Sequence, residues 1–377
     1  MVNNKLYIGI LTGTSMDSID CGIYSFHNSV FKEIAFYEND YPKSIKNEIT
    51  ENFSALKENY IKSEINQNLS NEFSEIIYKV LKKENIKAKD IEAIGMHGQT
   101  ISHLKCDNKN ISIQLGSPNV FAKNTMIKVV SDFRNQDIEN GGEGAPLAPL
   151  FHDYIFKEHK KKRIIVNIGG ISNVSLLKNS HNNKVLGHDT GPGNILIDSW
   201  MKNNYDNDFD ENGIIASKHH VDENLLNIFL KDNYFIKIGP KSTTTEYFCY
   251  DWIVEKIKSN KKLLSKGDVL ATLTALTAIS ITNSIKDNYS FCDEIFICGG
   301  GAFNKTLVSY IKESAKNIFH DEVLVDTTES LGFNPKSVEA GLFAWLAMCK
   351  VNDIKLNYTE VTGAKRPCAL GQIYNFK

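Results

Sequence analysis

The chain has 377 residues, 42% hydrophobic and 23% charged, with a formal net charge of -2. Such a composition is that of an ordinary globular protein, and at roughly 150 residues per domain the length suggests two domains. A balance so near neutrality argues against nucleic acid or a membrane surface as a partner held by bulk electrostatics.

The chain opens with YIGILTGTSMDSIDCGIYSF, residues 7–26, in which one apolar run enters a polar cluster and leaves as another. The pattern predicts strand–turn–strand over Leu6–Phe26. In the turn, Gly13, Thr14, Ser15, Met16, Asp17, Ser18, Ile19 and Asp20 offer backbone N–H groups and hydroxyls to phosphate oxygens, and Asp17 is a candidate Mg²⁺ ligand. A polar hairpin turn bonding its own backbone fits the same residues. The spacing is not that of a P-loop.

Residues 44–84 carry Ile45, Ile49, Phe53 and Leu56, then Leu69, Phe73, Ile76, Ile77 and Val80, at helical spacing. Ile91–Gly95 reads as a strand followed by the polar stretch Met96–Thr100. Ser131-Asp132-Phe133-Arg134 leads into the glycine-rich residues 141–147. His97, Gln99, Thr100, Asp132 and Arg134 suit a hydroxylated ligand bearing a carboxylate, which Arg134 is able to grip as a bidentate fork. A lone histidine such as His97 is more often structural; the cluster carries more than its members.

The basic run Lys160–Arg163 reads as a solvated face. RIIVNIGGISNVSLL, residues 163–177, repeats the strand–turn–strand grammar, with Gly169, Gly170 and Asn173 in a second candidate donor array. Two related domains explain the repeat; two unrelated hairpins remain the alternative. In HDTGPGN, residues 188–194, Asp189 precedes a rigid Gly191-Pro192-Gly193 turn. A carboxylate aimed by such a turn suits a general base, and a local Asx-turn is the structural alternative.

Asp268–Ile285 is expected to be a buried helix with an aspartate at its start. The strand Glu294–Cys298 runs into Gly299-Gly300-Gly301, a bare backbone able to lie flat against a purine. Asn334 and Pro335 are expected as N-cap and first residue of a helix reaching Cys349. Val338, Leu342, Trp345, Leu346 and Cys349 would line one face of it. Strands mixed with helices imply an α/β fold. Seven scattered cysteines contain no Cys-x-x-Cys pair, so neither a disulfide framework nor a zinc site is expected. The first apolar run is too short for a signal peptide and no stretch approaches about 18 apolar residues, so a cytoplasmic protein is expected.

The stretches GTSMDSID, MHGQT, QLGSPNVFA, SDFRNQD, GGEGAPLAP, NIGGISNVS, DTGPGN, GPKSTTTEYF, CGGGAFN and NPKSVEAGLFAWLA occur in this order along nearly the whole chain. Together they resemble the anhydro-N-acetylmuramic acid kinase family of the actin and hexokinase superfamily. The resemblance implies two ribonuclease-H-like domains with ATP and Mg²⁺ in an interdomain cleft. Domain I would cover residues 1–130 plus about 345–377, and domain II residues 131–344 with the second phosphate loop, catalytic aspartate and adenosine site. It also implies a cytoplasmic homodimer active in peptidoglycan recycling. There it would open the 1,6-anhydro bond of 1,6-anhydro-N-acetylmuramic acid and phosphorylate O6, giving N-acetylmuramic acid 6-phosphate. Asp189 matches the family's catalytic aspartate, Glu339 a second acidic position near the sugar, and Gly13–Asp20 the ATP-phosphate loop. Ser18 stands where the family usually has glycine, so its Cβ is expected to alter or narrow that loop. A kinase for another anhydro-sugar or a hexose is the alternative enzyme; a non-catalytic nucleotide switch is the alternative of another class.

Overall fold

The structure, a computed structural model, describes residues 5–13, 16–27, 30–53, 56, 64–106, 109–237, 241–244, 246–260, 262–319 and 322–376. Its strands are β1 (Leu6–Thr12), β2 (Ser18–His27), β3 (Val30–Asp40), β4 (Ile91–Cys106), β5 (Lys109–Leu115) and β6 (Val129–Ser131). They continue with β7 (Arg163–Ile168), β8 (Ile171–Leu176), β9 (Leu186–Pro192), β10 (Glu294–Cys298), β11 (Leu324–Thr327) and β12 (Gln372–Tyr374). The chain divides into two compact units, Met1–Phe151 with Ser337–Lys377 (unit 1) and His152–Lys336 (unit 2).

These limits differ from the expected ones near 130 and 344. Residues 131–151 stay with unit 1 because aromatic packing ties them to the helix Ser337–Val351. Phe133 lies on Phe343 with centroids 5.7 Å apart, and Phe151 on Trp345 at 5.5 Å. That helix belongs to unit 1 whole, and Glu339 goes with it.

In unit 1 the sheet runs β12-β6-β4-β1-β2-β3, with β5 paired to β4. β1, β2 and β3 form an antiparallel meander, while β4 is parallel to β1 and β6 parallel to β4. β1 is buried on both faces, as a central strand between layers must be. One layer is the helix Ser337–Val351, which lies almost on the sheet backbone. A Cβ on Gly9 would come within 1.8 Å of the Ala340 carbonyl oxygen, and one on Gly95 within 2.0 Å of that of Phe343. The other layer includes the helix Glu64–Lys83, whose Leu69, Phe73 and Ile77 join Ile8, Ile10 and Ile19 in one apolar core. β4 continues through Met96–Thr100, the stretch expected to follow a strand.

In unit 2 the order is β11-β10-β7-β8-β9. Again the first three strands, β7, β8 and β9, form an antiparallel meander, with β10 parallel to β7 and β11 parallel to β10. The order matches β6-β4-β1-β2-β3 strand for strand. The two strand–turn–strand segments are therefore equivalent pieces of a repeated ribonuclease-H-like topology.

The unit 2 core includes one face of β7 and β8 with residues of the helices Lys266–Tyr289 and Lys305–Ile318. The first of these helices is long and apolar enough by composition to cross a membrane, with a mean hydropathy of 1.3, but 83% of that stretch is buried inside the protein. It is a core helix. Ser265, not Asp268, caps it, its Oγ accepting from the Asp268 N–H at 3.0 Å. The run Lys160–Arg163 is only partly a solvated face. The Arg163 guanidinium pairs with the buried Glu294 carboxylate at 2.7 Å, and Lys161 joins from outside. The last long helix begins at Ser337 rather than beside Asn334. Asn334 Oδ1 accepts from the Lys336 N–H at 3.1 Å, and the Pro335 carbonyl from the Gly299 N–H at 2.9 Å.

Candidate functional site

Unit 1 carries the first turn and the His97–Arg134 cluster. Thr14 and Ser15 lie outside the described residues. Met16 takes the left-handed backbone conformation, φ 54°, and its N–H donates to the Gly13 carbonyl at 3.1 Å. Asp17 is exposed, with Lys46 Nζ 3.3 Å from Oδ1 and donating to the Met16 carbonyl at 3.0 Å. Ser18 already belongs to β2, has no positive φ, and donates to Asp20 Oδ1 at 2.9 Å. Its own backbone is that of an ordinary strand residue, and the loop it was expected to narrow includes Thr14 and Ser15, outside the described residues. Ile19 is a correction to the expected ligand set: it has no exposed surface and packs in the core.

His97 is buried and stacked on Phe343, centroids 4.5 Å apart. Its Nδ1 donates to the Gly98 carbonyl at 3.2 Å, and its Nε2 accepts from Arg134 Nε at 2.9 Å. Burial, then the neighbouring guanidinium, holds its pKa well below 6.5, so the ring is neutral. Arg134 Nη1 also donates to the Gly144 carbonyl at 3.1 Å. Behind it lies Asp137, fully buried, accepting from the Gly144 N–H and the Thr362 hydroxyl at 2.8 Å each. Sequence reasoning missed this anchor; its one local signal is the glycine pair 141–142, since a Cβ on Gly142 would come within 2.2 Å of Asp137 Oδ2.

Asp132 has φ 60° and accepts from the Tyr374 hydroxyl of β12. Thr100 Oγ1 accepts from Gln114 at 3.4 Å. Gln99 differs from its expected place in a ligand surface. It is 1% exposed, its Oε1 accepts from the Thr12 hydroxyl at 2.8 Å, and its Nε2 donates to the Thr100 carbonyl at 3.1 Å. Thr12 immediately precedes Gly13, so Gln99 is a strut beneath the first turn. Glu339 is half-buried in the first turn of its helix, where the helix dipole favours a carboxylate.

In unit 2, three glycine stretches converge at one end of the sheet. The carbonyls of Gly169 and Gly170 accept from the N–H groups of Asn194, at 2.9 Å, and Gly193, at 2.8 Å, entering the helix Ile195–Tyr205. The Gly169 N–H is engaged within its own turn by the Ile171 carbonyl at 3.2 Å, so it is not the open donor expected. Gly299 and Gly301 are packing glycines: a Cβ would come within 2.5 Å of Asn167 Oδ1 and 2.3 Å of Ile168 Cγ2 respectively. Gly300 is exposed, its nearest such neighbour Asn194 Nδ2 at 3.7 Å. Of the triple glycine, it alone presents bare backbone.

Asp189 lies within β9 rather than in a turn, and residues Tyr234, Lys241 and Thr243 hold it. Its N–H donates to the Lys241 carbonyl at 3.0 Å, its carbonyl accepts from the Tyr234 hydroxyl at 3.0 Å, and its Oδ2 accepts from the Thr243 N–H at 3.1 Å. Burial, and then the Asp189 charge, raise the Tyr234 pKa, so the phenol stays a donor. Tyr234 is itself held by Asp232, which accepts from the Tyr234 N–H at 3.0 Å, Tyr247 at 2.6 Å and Trp252 at 3.0 Å. Across the sheet, Asp189 stands opposite Asn173, and Asn173 opposite Asn167. A residue whose backbone is held by two bonds and one carboxylate oxygen by a third has a fixed aim, as proton abstraction requires.

Two units of one topology, each built on a strand–turn–strand opening, define a duplicated ribonuclease-H-like α/β fold. The anhydro-N-acetylmuramic acid kinase family model matches residues 5–376, and the chain belongs to that family. It is 37% identical over 370 residues to the anhydro-N-acetylmuramic acid kinase of Coxiella burnetii, covering 98% of this chain and 97% of that protein. It is 36% identical over 372 residues to the enzyme of that name from Legionella pneumophila, covering 98% of each. Component A of (R)-2-hydroxyglutaryl-CoA dehydratase from Acidaminococcus fermentans aligns with 13% identity and a TM-score of 0.47, over 92% of this chain and 99% of that one.

Proposed function

We propose that the chain uses ATP to open the 1,6-anhydro ring of 1,6-anhydro-N-acetylmuramic acid and to phosphorylate O6. Asp189 takes a proton from water as the water oxygen attacks the anomeric carbon. The C1–O6 bond breaks, O6 attacks the γ-phosphorus, and ADP leaves. The supporting observation is the aim of Asp189: the Thr243 N–H holds one carboxylate oxygen while Tyr234 and Lys241 hold its backbone. Glu339 acts as the second acid near the sugar. The neutral His97 fixes Arg134 so that the guanidinium meets the lactyl carboxylate, with Thr100 and Asp132 at the sugar hydroxyls.

Backbone around Gly13, Met16, Asp17 and Asp20, and around Gly170 and Gly300, contacts the nucleotide. Among the described residues no three acidic, histidine or cysteine side chains cluster. Mg²⁺ commonly takes one carboxylate and draws its other ligands from phosphate and water, so the exposed Asp17 fits it. When bound, the ion neutralises phosphate charge. By family resemblance the enzyme acts as a cytoplasmic homodimer in peptidoglycan recycling.

The test is ADP release driven by the anhydro-sugar, run in oxygen-18 water with parent and Asp189→Asn protein. The label should enter the anomeric hydroxyl, and the variant should lose about 10²–10⁴-fold in turnover while still binding ATP. Label in phosphate, or near-normal turnover in the folded variant, would sink the mechanism.

A further inference from the structure

The Oδ1 atom of Asn173 is buried and has no hydrogen-bond partner among the described residues. Native proteins pair nearly all such atoms, and an orphaned acceptor marks a place where something else donates. Its surroundings say what. Val174 and Leu176 of β8 point into the apolar core of unit 2, so by strand alternation Asn173 faces the other way. A register shift in the β8–β9 pair just before Asn173 brings Asp189 directly opposite it. Directly opposed residues of an antiparallel pair project from the same face, with Cβ atoms about 4.5–5.5 Å apart. The orphaned amide oxygen and the Asp189 carboxylate are thus neighbours on one surface.

We propose that Asn173 is the second acceptor for the water that Asp189 deprotonates, an assignment that rests on Asp189 being the base. Water has two O–H bonds, and a buried water must place both. One proton goes to the Asp189 carboxylate; the other O–H donates to Asn173 Oδ1. With both hydrogens committed, a lone pair is left to face the anomeric carbon. As the O–C1 bond forms and C1–O6 breaks, the first proton passes to Asp189. The second stays on the new anomeric hydroxyl, still donating to Asn173, and O6 takes the γ-phosphoryl group from ATP. The amide takes no proton. It orients the nucleophile, in place of the nucleotide contact expected for Asn173 from its position after the Gly169–Gly170 turn.

The experiment compares Asn173→Ala, Asn173→Ser and Asp189→Asn with the parent by steady-state ADP release and thermal unfolding. Asn173→Ala should lower kcat by about 10²-fold and leave the KM for ATP within about twofold. It should unfold at the parent temperature or above, because it removes an unpaired buried acceptor. Asn173→Ser, which keeps an acceptor oxygen, should recover part of the rate. A raised KM for ATP at unchanged kcat would make Asn173 a nucleotide ligand and overturn the proposal. So would a lowered unfolding temperature in both Asn173 variants, which would make the residue structural. An inert Asp189→Asn beside a fully active Asn173→Ala refutes the water role alone; an active Asp189→Asn removes the base on which it rests.

Discussion

Unit 2 should lose stability as pH falls from neutrality to 5, through two buried histidines. His152 is 1% exposed and shares a 2.9 Å hydrogen bond with the Ser175 hydroxyl. His188, on β9 beside Asp189, is 5% exposed; Nε2 bonds Ser284 at 2.8 Å and Nδ1 accepts from Tyr289 at 3.0 Å. Burial lowers the first from 6.5 to about 3 and the second to about 4. Both folded values lie below the unfolded value. Below pH 6.5, therefore, the unfolded chain binds protons that the folded chain refuses, and stability present above 6.5 is lost on acidification. Between pH 7.5 and 5.0 each ring costs about 2 kcal/mol, roughly 4 kcal/mol together, against a typical total of 5–15 kcal/mol. Asp153, raised by burial, acts in the opposite sense. Comparing variants cancels it. Urea unfolding followed by tryptophan fluorescence, with Trp200 and Trp252 reporting on unit 2, should show the midpoint falling across this range. His152→Asn and His188→Gln, which keep one hydrogen bond each, should each remove about half the fall. A double variant with the parent's pH dependence would refute the reasoning.

Asp17→Asn should raise the Mg²⁺ concentration needed for half-maximal activity while leaving the unfolding temperature near that of the parent, since the Asp17 side chain is 69% exposed. Unfolding of the variant, or an unchanged Mg²⁺ titration, would make the turn a structural one. Gln99→Leu removes the acceptor for the Thr12 hydroxyl, a bond of about 1 kcal/mol net. Initial rates should show the KM for ATP rising about fivefold with the sugar KM little changed. A rise confined to the sugar KM would return Gln99 to the substrate.

Legibility in the sequence followed the range of the interactions. Leu6–Phe26 and Arg163–Leu177 were readable as strand–turn–strand because apolar runs flanking a Gly, Ser and Thr cluster are local facts. Their equivalence within two sheets of one order bears out the repeat. His97 and Gln99 hid the continuation of β4, because a strand whose polar residues are buried and paired looks from sequence like a loop. Asp137 with Thr362, and Arg163 with Glu294, are partners more than a hundred residues apart, and no spacing rule finds them. Asp189 stands out in the sequence for the Gly-Pro-Gly that follows it, yet its aim comes from Tyr234, Lys241 and Thr243, some fifty residues on, which periodicity does not show. Asn334 misled because asparagine followed by proline signals a helix start, whereas here its side chain closes a local turn and the helix waits for Ser337.

The division of the chain sets an order for its synthesis. Unit 2 is one continuous stretch, residues 152–336, inserted into a unit 1 whose two pieces flank it. When residues 1–151 have left the ribosome, β1 and β4 still lack the helix Ser337–Val351 that rests on Gly9 and Gly95, and β6 still lacks β12. The nascent amino-terminal sheet must wait, with one apolar face open to water, while the whole of residues 152–336 is translated. Chaperone dependence and sensitivity to premature stop codons should therefore concentrate in the first unit. A stop codon directly after Lys336 would leave a first unit whose sheet never receives the helix Ser337–Val351 or β12.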